Sequence, residues 1–269
     1  MAFFPRTYNN EAAVAIDSDK LYISDDLTNW QYDPSSYCNT ALRGHYVNSV
    51  TFTEGENSHL YLTMTSSRTD KNRTLVSSDM GKTCEDNNIG DGAWYLSSSP
   101  ESKIIFAISA SQIKRSIDHG ITWQAVDFKG DESLAIKSII GFAFDPKNVD
   151  YIYAYGGSEI WYSRDGGVSW GKNSYQGVYN TSSPVLVVND GKNLLFSNHL
   201  DHLSMISTDM TDLKVQNVSI KGEEPKEPYT LWEISAPTAD NKHAIISEIY
   251  RYGNDYSLRK QRTYIATLN

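Results

Sequence analysis

The chain has 269 residues, 18 of them tyrosine, with 33 acidic side chains against 24 basic and a formal net charge of −9. That balance excludes a broad electrostatic grip on nucleic acid or on an anionic membrane, since both need a positive surface. No apolar run approaches the roughly 18 residues of a membrane helix, and the first residues lack the cationic-then-apolar pattern of a secretory signal.

In chain order, residues 2–8 ("AFFPRTY") read as a strand that pairs with the last sheet and so joins the two termini. "ISDDLTNWQ" follows, with Ser24, Asp26, Thr28 and Trp30. The segment 32–46 ("YDPSSYCNTALRGHY") reads as a long polar loop. Next come three short β-branched or aromatic runs, "VNSVTFTE", "HLYLTMTS" and "TLVSSDMG", bounded by turn residues as strands are. The last of them opens "VSSDMGKTCE", with Ser77, Asp79, Gly81 and Thr83, and Cys84 where a tryptophan is expected. "RSIDHGITWQ" supplies Ser116, Asp118, Gly120, Thr122 and Trp123, and "EIWYSRDGGVSW" supplies Ser163, Asp165, Gly167, Ser169 and Trp170. "ISTDMTDLKV" carries a shorter version, Ser207, Asp209, Thr211 and Leu213. The charged connector "KGEEPKEPY" (221–229) reads as an exposed loop, and three more strand-like runs follow: "LWEISAP", "KHAIISEIY" and "RKQRTYIATL". Cys38 and Cys84 are read as buried or incidental thiols, with one bridge between them as the alternative.

The leading serines recur about every 46 residues, with several short strands per period, which is the signature of propeller blades. The pattern S-x-D-x-G-x-[ST]-W resembles the Asp-box (BNR) repeat of sialidases, sortilin-type receptors and related β-propellers. The resemblance implies an all-β propeller, a single domain over residues 1–269, with about six four-stranded blades (five as the runner-up) closed by pairing of the N- and C-terminal strands. It also implies that the boxes are structural hairpins between the third and fourth strands of each blade, facing away from the ligand. A box aspartate accepts hydrogen bonds from its own turn, and the tryptophan packs between blades.

Ligands then fall to the loops at the other end of the strands. Aromatic rings beside polar groups suit sugars or protein surfaces, which selects Tyr37, Arg43, Tyr46, Tyr175, Tyr179, Arg251, Tyr252 and Tyr256. His199, Asp201 and His202 match no strong zinc spacing, and no metal or cofactor is expected. Sialidase chemistry would need an arginine cluster for a carboxylate, an activated tyrosine and an acid/base aspartate. Arg43, Arg68 and Arg251 would have to converge, with Glu248 serving Tyr250 or Tyr252, and "FFPRTYNN" lacks the family's Arg-Ile-Pro motif. The expectation is a non-catalytic binding or adhesion propeller of a bacteriophage virion, such as a tail or fibre protein. It would recognise a cell-surface glycan or dock to other virion proteins, without nucleic acid or membrane insertion. A sialidase-like glycoside hydrolase and a cytoplasmic protein-interaction scaffold are the alternatives.

Overall fold

A computed structural model of the protein describes residues 2–4, 13–26, 28–53, 59–87, 89, 92–98, 103–131, 137–157, 159–174, 185–198, 202–210, 215–218, 230–237, 243–251 and 259–267. The chain divides into two compact units, Met1–Ile136 and Lys137–Asn269. Every sheet among the described residues is an antiparallel meander in which consecutive strands pair.

The first unit holds three sheets. The first is β1 (Ala2–Phe4), β2 (Ala13–Asp17) and β3 (Lys20–Ser24), followed by a short helix, α1 (Tyr37–Leu42). The second is β4 (His45–Phe52), β5 (Leu60–Ser66), β6 (Asn72–Ser77) and β7 (Glu85–Asp86). The third is β8 (Tyr95–Ser98), β9 (Ile105–Ile108), β10 (Ile113–Ser116) and β11 (Gln124–Ala125). Side chains on a strand alternate between its two faces, and β5 uses both. Leu60, Leu62 and Met64 pack with Val14, Ile16 and Leu21 of the first sheet. Tyr61, together with Val76 of β6, packs with Leu96, Ile105 and Ala107 of the third. A strand buried on both faces must read as a continuous apolar run, as "LYLTM" does.

The second unit repeats the arrangement. Its sheets are β12 (Gly141–Phe144), β13 (Ile152–Gly156), β14 (Glu159–Ser163) and β15 (Gly171–Ser174), then β16 (Leu186–Val188), β17 (Asn193–Asn198), β18 (His202–Ser207) and β19 (Gln216–Val218), then β20 (Thr230–Pro237), β21 (His243–Arg251) and β22 (Arg259–Thr267). Val187 faces Tyr153 and Ile160, whereas Leu186 and Val188 face Ile234 and Ile246. The Arg164 guanidinium stacks 4.4 Å from the Tyr151 ring, 5.1 Å from Tyr153 and 5.4 Å from Tyr162. It also donates to the Tyr153 hydroxyl and the Thr208 carbonyl, tying β14 to the turn after β18.

Residues 2–4 form β1, which pairs with β2, Ala2 opposite Ile16 and Phe4 opposite Val14. Two expectations change. Cys38 and Cys84 are not free thiols but a disulfide, with Cα atoms 5.1 Å apart. The loop 32–46 contains α1, capped by Ser36 Oγ, which accepts the Asn39 N–H.

Candidate functional site

The serine–aspartate turns follow the third strand of their sheets. In the complete copies Ser77, Ser116 and Ser163 each accept a glycine N–H through Oγ, at 2.7, 2.8 and 2.8 Å for Gly81, Gly120 and Gly167. The same hydroxyls donate to Asp79, Asp118 and Asp165 Oδ1 at 2.8, 2.7 and 2.7 Å. Oδ1 of these aspartates also accepts the N–H of Thr83, Thr122 and Ser169, while Oδ2 accepts their hydroxyls at 2.6, 2.5 and 2.5 Å. Asp26 is served by the N–H groups of Thr28 and Asn29 and by the Asn29 amide. The Asp209 N–H donates to Ser207 Oγ. Both oxygens of each complete-copy carboxylate are thus occupied inside the turn.

These contacts govern the charge. Partial burial pushes the Asp165 carboxyl up, but hydrogen bonds from the Ser169 hydroxyl, the Ser169 N–H and Ser163 outweigh it and bring it down to about 2. Asp79 and Asp118 are lowered in the same way, and Asp26 by the N–H groups and amide around it. The glycines are fixed by shape. Gly81 has φ +90°, and a Cβ there would lie 2.9 Å from Leu21 Cδ2 of the preceding sheet. Trp123 and Trp170 turn back on their own hairpins, Nε1 donating to the Gly120 and Gly167 carbonyls, and Trp170 packs edge-on against Phe142. Trp30 is half-buried just before Gln31, which bridges to Ile23.

The register places the candidate ligand residues of the first unit at the other end of the sheets. His45 lies opposite Ser66 and Thr65 opposite Asn72, whereas Phe52 lies opposite Leu60 and Leu60 opposite Ser77, where the box turn begins. Tyr46, at the start of β4, is 68% exposed. Tyr37, in α1, is 47% exposed, and its hydroxyl donates to Asp86 Oδ2 at 3.0 Å and accepts from Arg73 Nη2 at 2.8 Å. Arg73 also pairs with Asp86 through two nitrogens, a fork geometry that fixes the carboxylate and the phenol together. Arg43, the C-cap of α1, donates to the Pro34 carbonyl at 3.0 Å.

Trp94 is absent from the sequence-derived set yet is 49% exposed on this same end, just before β8. Its carbonyl accepts Thr63 Oγ1, two residues along β5 from the Thr65 that pairs with Tyr46, which is about 7 Å of strand. Its one sequence signal is an aromatic ring directly after the turn-like "GDGA". Tyr175, Tyr179, Tyr252 and Tyr256 lie outside the described residues, as do His199 and Asp201. Arg251 is the last residue of β21, opposite Arg259. Among the described residues, no group of three or more His, Cys, Asp or Glu side chains is placed to hold a metal.

No protein-family model matches the chain, and no curated protein does. Solved structures do match. YCF48 bound to D1 peptide superposes with a TM-score of 0.57 at 13% identity, over 88% of this chain and 72% of that one. YCF48 from Cyanidioschyzon merolae gives 0.59 at 11%, over 91% and 78%. A chain of the mitotic checkpoint complex gives 0.57 at 9%, over 93% and 76%. At these identities the likeness is one of fold, and that fold is the all-β propeller.

Proposed function

We propose that the protein is a non-catalytic binding propeller whose recognition surface is the end of the sheets opposite the serine–aspartate turns. One contrast carries this reading. The carboxylates that the repeat supplies are spent on their own turns, while Tyr46, Trp94 and Tyr37 present rings to solvent at the other end. Exposed rings on a rigid sheet end, beside hydrogen-bonding groups, suit sugar faces or a peptide.

The repeat itself we assign to the Asp-box class, and the setting to a bacteriophage virion, with the ligand a cell-surface glycan or a neighbouring virion protein. Tyrosine-rich loops and net negative charge fit that setting, and so does a disulfide, which persists on surfaces outside reducing compartments, virions included. Protein docking has its own support: among the similar propellers, YCF48 is bound to D1 peptide and another is part of the mitotic checkpoint complex.

Titration of the protein with purified bacterial cell-wall polysaccharide, followed by tryptophan fluorescence, tests the glycan reading. Saturable quenching that weakens in Tyr46→Ala and Trp94→Ala is expected; equal affinity in both variants rejects this end of the sheets. Turnover of a fluorogenic sialoside by the folded protein would instead favour the hydrolase alternative.

A further inference from the structure

His59 and His119 meet at the seam between the second and third sheets. His59 leads into β5, its N–H donating to Thr53 Oγ1 and its carbonyl accepting the Thr53 N–H. His119 sits in the turn between Asp118 and Gly120, left-handed at φ +57°. Their rings lie 5.7 Å apart, and the His59 ring is 6.2 Å from that of Tyr61. The Tyr61 hydroxyl, itself buried, donates to the His119 carbonyl. Gly120 then packs on Tyr61, where an added Cβ would come within 3.1 Å of the ring, and Trp123 donates to the Gly120 carbonyl. His119 is 9% exposed, and its Nδ1 is buried with no hydrogen-bond partner among the described residues.

We propose that His119, beside the His59 ring, makes the seam between the second and third sheets pH-sensitive, closed while its imidazole is neutral and loosened when it takes up a proton. A proton on Nδ1 would create a cationic donor in a buried position with no acceptor for it among the described residues. Among the described residues, the other charged groups acting on His119 are Lys103, ahead of β9, and Asp118 on its own turn. Burial, then His59 and Lys103, push the His119 imidazole below its ordinary value, and Asp118 opposes them. With the folded form titrating below the unfolded one, the unfolded chain binds more protons under pH of about 6.5. The seam's stability is therefore full above that pH and is lost as pH falls through the folded value.

The test uses the whole chain. Ring-proton NMR should give His119 a midpoint below about 6.5, moving up in His59→Gln. Hydrogen-exchange protection of the Gly120 amide and the Trp123 indole should fall between pH 7.5 and 5.5. The loss should be about tenfold for each pH unit by which the midpoint is lowered. His119→Asn, which tolerates the left-handed backbone, should remove this pH dependence. A wild-type midpoint at or above about 6.5 overturns the proposal without any variant. Unchanged wild-type protection, or the same loss in His119→Asn, overturns it too.

Discussion

At Asp79 the carboxylate holds three groups, the Ser77 hydroxyl and the Thr83 N–H and hydroxyl. Asp79→Asn keeps the size but replaces one acceptor oxygen with a donor, leaving a turn group unserved. The expected loss is about 1–3 kcal/mol in urea unfolding, with the folded structure unchanged. The same contacts predict an acid limb. The Asp79, Asp118 and Asp165 carboxyls titrate lower folded than unfolded, so their contribution is complete above about pH 4 and is lost as pH falls below that, toward about 2 for Asp165. A urea midpoint that drops steeply there in the wild type, and less so in Asp165→Asn, checks it. This chemistry was legible in the sequence, because the spacing of Ser, Asp, Gly and Thr is the hydrogen-bond pattern itself. Trp94 was not, because nothing in "GDGAWY" tells which of its two adjacent rings faces solvent.

Around α1, three devices fasten one short helix. The Asn39 amide accepts the Leu21 N–H at 2.7 Å and donates to the Leu21 and Asp33 carbonyls, serving the edge of β3 as a strand would. Tyr37 joins Arg73 and Asp86. Cys38 is bonded to Cys84, at the position a tryptophan occupies in the next two copies, and both pack with the core between the first and second sheets. The disulfide takes the place of the wedge. With the cysteines 46 positions apart in sequence, the chain-entropy model gives about 4 kcal/mol. Cys84→Ser should cost about 2–4 kcal/mol in urea unfolding; an unchanged midpoint would show the covalent link idle. The sequence concealed this element for physical reasons. Six helical residues are too few for a periodic signal, and a cysteine in place of tryptophan reads as decay of the repeat until its partner is seen.

For the whole molecule, a meander repeated about every 46 residues gives strands apolar on both faces, polar turns of fixed chemistry at one end and variable loops at the other. The fold was legible because each repeat states it anew. For the proposed recognition surface the sequence offers only a choice of end, since the loops at that end share no pattern. The most direct measurement compares cell-wall polysaccharide affinity in wild type, Asp79→Asn and Trp94→Ala, all within the first unit. Asp79→Asn, though less stable, should bind like the wild type, while Trp94→Ala should lose about tenfold, the weight of one stacked aromatic contact. Binding abolished in Asp79→Asn and intact in Trp94→Ala would contradict this.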